Sequence, residues 1–214
     1  YDISEDGKTY TFHLRDAKWS NGDAVTAADF VFGWHRAVDP ATASEYSYML
    51  SDIGQIVNAA EIIAGEKPVT DLGVSAVDDK TLEVQLNVPV SYFLSLMYFP
   101  TFYPVNEAFY NSCADTFGTS PDTVLSNGAF KLTDYQPAAT AFTLEKNPDY
   151  YDADKIALDS LAYQVIKDSQ QALMSYQTGA LDMTLLNGEQ VDQVNDDPEF
   201  TSVGAGYLWY ISPN

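Results

Sequence analysis

The sequence of 214 residues predicts a mixed α/β (α+β) protein. Some short segments alternate apolar and polar residues, which is typical of half-buried strands, while others repeat apolar residues at helical spacing. Gly, Pro, Asn and Asp separate these segments, as turns require. After an aromatic and proline-rich stretch at residues 100–104 the pattern restarts, so the sequence indicates two parts that meet near residue 105.

The first strand and helix are predicted from a turn and a helix cap. Residues 9–14 (TYTFHL) alternate as a strand does. The Asn-Gly pair at 21–22 supplies the positive backbone angle of a tight turn. Thr26 and Asp29 have the spacing of a capping box, so a helix is expected to begin at Thr26 and to end at Pro40.

In the rest of the first part, the sequence predicts both helices and strands. Apolar residues at helical spacing predict a helix over residues 53–64, which Gly65 ends. Residues 74–77 and 81–86 flank a short acidic turn and predict a hairpin. A short helix is expected over residues 92–97.

The second part contains four strand candidates with alternating apolar residues. They are residues 129–135, 141–146, 161–166 and 181–186. A helix is expected to begin at Asp168 or Ser169 and to end at Gly179. With the strands on either side of it, this helix predicts a right-handed, parallel strand–helix–strand unit.

Composition excludes several classes of protein. The formal net charge is -21, which repels nucleic-acid phosphates and anionic lipid headgroups. An apolar fraction of 46% is too high for a disordered acidic segment, so a packed core is expected. No stretch of about twenty apolar residues is present to span a bilayer.

The sequence carries none of the strong catalytic motifs, and we interpret it as a protein that is not an enzyme. Cys113 is the only cysteine, so an internal disulfide is excluded, and we expect it to be a buried or incidental thiol. Residues 2–7 begin like a calcium-binding loop, but His13 stands where the bidentate Glu belongs. Acidic residues at 149, 152 and 154 lack a full coordination set, and no metal or cofactor is expected.

Two stretches carry a family resemblance. They are residues 19–30 (WSNGDAVTAADF) and, downstream, residues 126–130 (SNGAF) followed by residues 146–151 (KNPDYY). Between them lie DP and TASEY at 39–46, DLGV at 71–74, DDKTLEV at 78–84 and PVSYF at 89–93. In this order the segments resemble the peptide-binding branch of the extracellular solute-binding proteins, family 5, which supply ABC importers.

The resemblance implies a partial periplasmic-binding-protein-like fold of type II. Family members are longer, so the chain looks like a middle portion of one. Residues 1–105 would form an accessory domain that is partial at its N-terminus. Residues 106–214 would form part of the first ligand-binding lobe and end at the hinge strand.

The same resemblance implies an extracytoplasmic function. The protein would capture oligopeptides, in the periplasm or as a cell-surface lipoprotein, and deliver them to an ABC permease as a monomer without a cofactor or a nucleic-acid partner. Relatives that carry nickel complexes, haem or sugars leave a non-peptide solute open. An enzyme or a surface domain on the same scaffold is a second alternative.

Ligand-binding residues are carried over by position in the family pattern. Tyr46 falls at the tyrosine of the TASxY segment, which lines a peptide side-chain pocket. Leu185, Leu186 and Asn187 follow the GALDMT segment, where relatives present side chains to the solute. The two leucines replace more polar residues and imply an apolar pocket, although they fit the end of a buried strand equally well. Tyr210 corresponds to an aromatic residue that faces the cleft.

Overall fold

A computed structural model of the chain describes residues 1–204. The chain forms two compact units, of which unit 1 comprises Tyr1–Tyr163 and unit 2 begins at Gln164. Strands and helices occur together in unit 1, so the predicted mixed α/β class is confirmed.

The first sheet of unit 1 has four strands in the order β1-β2-β4-β3, and all its pairs are antiparallel. Its strands are β1 (Asp2–Ile3), β2 (Thr9–His13), β3 (Val74–Asp78) and β4 (Thr81–Gln85). The predicted strand at 9–14 and the predicted hairpin are therefore confirmed. Tyr10 of β2 lies opposite Val84 of β4, and both side chains are buried. This register directs one face of the sheet into the core.

The predicted turn and helix cap are confirmed at helix α1 (Ala27–Val38). Gly22 has a φ of 91° in the turn before the helix. The carboxylate of Asp29 accepts hydrogen bonds from the backbone N–H of Thr26 (2.9 Å) and from the indole N–H of Trp19 (3.1 Å). Asp29 is only 6% exposed, so one buried carboxylate joins the helix start to the chain that precedes the turn.

The core of unit 1 lies between helix α1 and the first sheet. Trp34 of α1 is fully buried, and its indole N–H donates to the carbonyl oxygen of Phe102 (3.0 Å). The Trp34 and Phe102 rings meet edge to face, with centroids 5.3 Å apart. A side chain at Gly33 would lie 2.8 Å from the carbonyl oxygen of Tyr103. Only glycine therefore permits this close approach of α1 to the 102–105 segment.

The predicted single helix over residues 53–64 is wrong. Met49–Ile53 form a turn of π-helix, and α-helix α2 is limited to Ala59–Ile63. Between them the chain turns around Ile56, which forms an isolated bridge to Leu86, and the Val57 N–H donates to the carbonyl oxygen of Gln85 at the end of β4 (2.9 Å). Asn58 has a φ of 65°, which no helix accommodates, so pairing with the sheet replaces the helical hydrogen bonds there.

Two short helices lie between the two sheets of unit 1 along the chain. Helix α3 (Phe93–Leu96) confirms the prediction over residues 92–97, and helix α4 (Glu107–Cys113) is not predicted above. The guanidinium of Arg36 lies 3.9 Å from the ring centroid of Tyr110, which joins α1 to α4 by a cation–π contact.

The second sheet of unit 1 has three strands in the order β5-β6-β7. They are β5 (Phe130–Asp134), β6 (Ala141–Lys146) and β7 (Ser160–Gln164), so the antiparallel pair predicted over 129–146 is confirmed. Asn147 follows β6 and is fully buried. Its side-chain amide donates to the carbonyl oxygen of Gly128 (2.9 Å) and accepts from the backbone N–H of Asp149 (3.1 Å). One side chain thus ties the KNPDYY turn to the start of β5.

The two motif stretches meet within unit 1, at what we call the motif junction. The Ser20 N–H donates to the carbonyl oxygen of Ser126 (2.7 Å), and the Ser126 N–H donates to the Ser20 hydroxyl (3.2 Å). Nearby, the Arg15 guanidinium lies 4.2 Å from the ring centroid of Tyr151. These contacts join the chain that precedes α1 to one end of the second sheet, where β5 begins and β6 ends, since Phe130 pairs with Lys146.

Unit 2 contains helix α5 (Ser169–Gln177) and helix α6 (Gly188–Val194). Asp168 caps α5 by accepting a hydrogen bond from the Gln171 N–H (2.7 Å), as predicted. The predicted strand at 181–186 is wrong for this structure, and with it the parallel strand–helix–strand unit. A strand needs a neighbouring backbone for its N–H and C=O groups, and none of the described residues provides one there.

Burial of His35 on helix α1 gives the stability of the protein a pH dependence. Its Nε2 atom is buried without a hydrogen-bond partner among residues 1–204. Burial lowers the pKa of His35 from its ordinary 6.5, and the charge of Glu107 opposes this only in part. Near pH 6 the unfolded chain therefore binds more protons than the folded chain, and stability falls as the pH drops through about 6.5.

We expect His35→Leu to remove this component. The free energy of unfolding, measured in urea from about pH 8 to about pH 5.5, should fall less steeply in the variant than in the unchanged protein. The exposed His13 is present in both proteins and cancels in the comparison. Equal slopes would show that His35 is protonated equally in the folded and unfolded states.

Candidate functional site

Unit 2 contains a cavity of about 520 Å³ with a largely apolar wall. Its apolar lining comes from α5, α6 and the two segments around residues 185 and 200. These side chains are Leu173, Met183, Leu185, Leu186, Val191, Val194, Phe200 and Val203. A space of this volume and lining is typical of small-ligand sites.

One end of this cavity is polar. A second space of about 680 Å³ there is lined by Asp182, Asp197 and Glu199, together with Tyr176 of α5. The hydroxyl of Tyr176 donates a hydrogen bond to the Glu199 carboxylate. That hydrogen bond, with burial and the charges of Glu199 and Asp197, raises the pKa of Tyr176. The phenol therefore stays protonated and acts as a donor at neutral pH.

Leu185 and Leu186, both predicted as site residues, line the same cavity. Leu185 is 87% exposed, and Leu186 is half-buried. Neither is the end of a buried strand, which was the alternative explanation for this pair. An apolar side chain this exposed is available to a partner or a ligand.

Asn187, the third predicted residue in this stretch, already has hydrogen-bond partners. It is the N-cap of α6, where its side-chain oxygen accepts from the Gln190 N–H (3.1 Å). Its amide nitrogen donates to the Ser169 hydroxyl (2.9 Å). Gln190 also donates to the Ser169 carbonyl oxygen (2.7 Å), so Asn187 anchors the start of α6 to the start of α5. Asn187 could hydrogen-bond a ligand only if one of these two bonds broke and a bond to the ligand replaced it.

Tyr46 belongs to unit 1 and is half exposed, at 49%. It lies in a chain of tight turns in which the Met49 N–H donates to its carbonyl oxygen (3.0 Å). Its ring meets Phe99 edge to face at 5.1 Å and lies 6.2 Å from the ring of Tyr48. Tyr46 therefore presents a fixed aromatic surface. Tyr210, the remaining predicted residue, lies outside the described residues.

Two features of these sites, the position of Tyr48 and the Tyr176–Glu199 hydrogen bond, are not predicted from the sequence. Tyr48 neighbours Tyr46 without any motif that marks it. The Tyr176–Glu199 pair joins a helix to a distant turn, and only the fold brings the two residues together. The spacing of Tyr176 in its helix indicates only that it lies on the same face as Leu173.

No arrangement in residues 1–204 suggests a nucleophile with its base. The Cys113 thiol is half-buried and donates to the carbonyl oxygen of Phe109 (3.3 Å). In the calcium-like stretch, Asp2 pairs with His13 (2.7 Å), and Asp6 accepts from the Ser4 hydroxyl. The described residues contain no group of three or more His, Cys, Asp or Glu side chains arranged to hold a metal ion. None of their helices has the length and apolar character of a membrane span.

Comparison with known proteins gives a consistent result. The family model described as "Bacterial extracellular solute-binding proteins, family 5 Middle" matches residues 1–214. The periplasmic oligopeptide-binding protein OppA of Salmonella typhimurium is 43% identical over 185 residues, which is 86% of this chain and 34% of that protein. The dipeptide-binding protein of Lactococcus lactis is 37% identical over 217 residues, 98% of this chain and 39% of that protein.

A solved structure of a relative has the same fold as this chain over the part that the two share. The peptide-bound OppA of Listeria monocytogenes superimposes with a TM-score of 0.86 and 43% identity, over 92% of this chain and 38% of that one. The chain thus spans somewhat over a third of the length of these relatives. Its architecture is part of the fold of the oligopeptide-binding proteins, as the sequence resemblance implies.

Proposed function

The chain belongs to family 5 of the bacterial extracellular solute-binding proteins, and from this membership we propose that it captures oligopeptides for an ABC importer. The observation that carries the proposal is the likeness to the peptide-bound Listeria protein, at 43% identity and a TM-score of 0.86. The proteins of this family are solute-binding proteins, so we propose binding without chemistry on the ligand.

The proposed mechanism is capture between two lobes that close about a hinge. Backbone hydrogen bonds to an extended peptide supply affinity that does not depend on its sequence, and roomy pockets accept its side chains. Ligand contacts favour the closed population, which then docks on the permease. We propose that this happens outside the cytoplasm, in a periplasm or on a lipid-anchored monomer, in line with the periplasmic relative.

We also propose that residues 1–105 form the accessory domain and residues 106–214 part of the first ligand-binding lobe. The core between α1 and the first sheet supports this division, because every buried member of it lies between Tyr10 and Phe102. Tyr46 would then act from the accessory domain, whereas Leu185, Leu186, Asn187 and Tyr210 would act from the lobe.

Native mass spectrometry of the full-length protein, purified without refolding, tests the proposed function. Denaturation should release a ladder of short peptide masses that travelled with the protein. A single nickel complex, haem or sugar mass would contradict peptide capture and move the protein to another branch of the family.

The leucine pair at residues 185–186 lines the cavity and predicts a preference for apolar peptide side chains. Leu185→Asn should weaken binding of peptides with Leu or Phe at the responsive position by about 5- to 30-fold, because about 1–2 kcal/mol of apolar burial is lost. Calorimetry across a peptide panel measures this. Leu158→Asn is the matched control, since Leu158 is also exposed (58%) but does not line the cavity. An unchanged preference in Leu185→Asn would remove Leu185 from the site.

A further inference from the structure

The sequence contains three Asn-Gly pairs, and asparagine is one of the thermolabile residues of proteins. The pairs are Asn21-Gly22, Asn127-Gly128 and Asn187-Gly188. In such a pair the backbone nitrogen of the glycine can attack the side-chain amide carbon of the asparagine, because glycine has no Cβ to obstruct the approach. The attack is easiest where the asparagine side chain and the glycine N–H have no other partners. The three pairs differ in this respect.

In the Asn187-Gly188 pair both polar atoms of the asparagine side chain are engaged. The oxygen accepts from the Gln190 N–H (3.1 Å), and the nitrogen donates to the Ser169 hydroxyl (2.9 Å). The Asn187 N–H also donates to the Gln190 side-chain oxygen (3.1 Å), which completes the capping box of α6. Both side-chain bonds must break before the amide carbon can meet the glycine nitrogen.

The Asn21-Gly22 pair is held by its own turn. The Gly22 N–H, whose nitrogen would be the nucleophile, donates to the carbonyl oxygen of Trp19 (2.8 Å). The Asn21 side chain accepts from the Asp23 N–H (3.1 Å) and donates to the Asp23 carboxylate (2.7 Å). The nucleophile and the amide are therefore both engaged, and the nearby carboxylate repels the negative charge that the attacking nitrogen carries.

The Asn127-Gly128 pair has neither restraint within the part of the chain that the structure describes. Among residues 1–204, neither the Asn127 side chain nor the Gly128 N–H makes a hydrogen bond. A side chain at Gly128 would meet no heavy atom within 4 Å, its two chain neighbours apart, so the space beside its nitrogen is open. Asn127 is half-buried and Gly128 is exposed, which gives water access to the pair.

We propose that Asn127 is a modification site, at which the side-chain amide converts spontaneously to isoaspartate at the motif junction. The Gly128 nitrogen loses its proton and forms a bond to the side-chain carbon of Asn127, and the amide nitrogen leaves as ammonia. The resulting cyclic imide adds one water molecule and opens to aspartate or isoaspartate. Water is the only co-reactant, and no electron is transferred. This inference does not depend on the proposed peptide-binding function.

Isoaspartate at position 127 disrupts the motif junction. Its main chain runs through the former side-chain carbon, so the backbone becomes longer by one methylene group. The residues on both sides are fixed. The Ser126 N–H and carbonyl oxygen are bonded to Ser20, and the Gly128 carbonyl oxygen accepts from the Asn147 amide (2.9 Å). Because close-packed structure has little room for an inserted group, the added length displaces at least one of these bonds.

Peptide mapping by mass spectrometry tests the site in the full-length protein. The protein is incubated at mildly alkaline pH, where more of the attacking nitrogen is deprotonated, and samples are digested over time. Conversion at Asn127 should be about 5- to 150-fold faster than at Asn21 or Asn187, because at least two hydrogen bonds must break first at each of those pairs. The same incubation in guanidinium chloride should bring the three rates together, since the fold no longer distinguishes the pairs.

Two glycine variants assign the conversion to the proposed chemistry. Gly128→Ala places a Cβ beside the attacking nitrogen and should remove the advantage of Asn127. The structure accommodates this change, because Gly128 has no positive φ and the space around it is open. Gly188→Ala makes the same change under the same conditions in another pair, and it should leave the rate at Asn127 unchanged.

Thermal unfolding then tests the effect on the junction. The converted protein carries one more negative charge, so ion exchange separates it from the unconverted protein. The converted fraction should unfold at a lower temperature, whereas Gly128→Ala should keep its unfolding temperature through the same incubation. An unchanged unfolding temperature of the converted fraction would show that the junction tolerates isoaspartate, and the proposed disruption would be wrong.

The rates themselves can overturn the modification site. If Asn21 or Asn187 converts as fast as Asn127 in the folded protein, or if Asn127 stays unconverted, the proposal fails. If the order of the three rates is the same in guanidinium chloride, the local sequence and not the fold determines them, and the structural argument for Asn127 is excluded.

Discussion

Trp34→Ala is expected to lower the free energy of unfolding by about 4 kcal/mol, because large-to-small changes of buried aromatic residues cost about 3–5 kcal/mol. Trp34 is fully buried between α1 and the first sheet. The change removes its edge-to-face contact with Phe102 and the hydrogen bond to the Phe102 carbonyl oxygen. Since small domains have about 5–15 kcal/mol of stability in total, much of it should be lost. Urea denaturation followed by circular dichroism measures the effect.

Two controls accompany this variant. Trp34→Phe keeps an aromatic ring but leaves the buried carbonyl of Phe102 without its donor, so a smaller loss of about 1–3 kcal/mol is expected. Tyr98→Ala changes a side chain that is 85% exposed and should alter stability by less than about 0.5 kcal/mol. If Trp34→Ala cost no more than Tyr98→Ala, the assignment of Trp34 to the core would be wrong.

Asp29→Ala is expected to cost about 3 kcal/mol of unfolding free energy. The buried carboxylate accepts hydrogen bonds from Trp19 and from the N–H of Thr26, and hydrogen bonds to charged groups contribute about 1.5–3 kcal/mol each. In the variant the buried indole N–H of Trp19 and the partly buried N–H of Thr26 lose their acceptor, and α1 loses the Asp29 half of its capping box. Denaturant unfolding monitored by Trp19 and Trp34 fluorescence should detect both the loss of stability and the altered surroundings of the indole.

Asp29→Asn and Asp23→Ala separate the causes. Asn retains one acceptor oxygen without the charge, so Asp29→Asn should lower the free energy of unfolding by less than Asp29→Ala does. Asp23 lies in the preceding exposed turn, where it accepts from the Asn21 amide (2.7 Å), and its removal should cost less than about 1 kcal/mol. Equal losses for Asp29→Ala and Asp23→Ala would mean that the turn, and not the buried carboxylate, determines the effect.

Elements whose signals are local could be predicted from the sequence. The start of α1 depends on Thr26 and Asp29, three residues apart, and the cap forms as the spacing predicts. The β3–β4 hairpin depends on alternation around a short turn, and it too forms as predicted. In both cases the interacting residues are close in the chain, so the sequence contains the whole interaction.

Elements that depend on distant partners could not be predicted in the same way. The apolar residues around Ile56 fit a helix, but Ile56 instead bridges to Leu86, and hydrogen bonds to the sheet outweigh the helical preference. Residues 181–186 alternate as a strand does, yet no described backbone lies alongside them. Alternation indicates which faces a strand would have, but not whether a partner is present.

The candidate site also contains features that the sequence predicts and features that depend on contacts between distant residues. Leu185, Leu186 and Tyr46 follow from the resemblance of motifs to the family pattern. The contact of Tyr46 with Phe99 and the pairing of Tyr176 with Glu199 join residues far apart in the chain, so no local pattern marks them. Asn187 was identified by position, whereas its hydrogen bonds to α5 and α6 became visible only in the fold.

The motif junction also constrains the order in which the chain can fold while it is being made. Ser20 and Ser126 are 106 residues apart, so the first motif leaves the ribosome long before its partner exists. At about 5–20 residues per second, this interval lasts about 5–20 seconds. Helix α1 and its cap can form during that time from local contacts, whereas the Ser20 N–H remains bound to water. A nascent chain that stalls before Ser126 would therefore carry a formed helix start and an open junction.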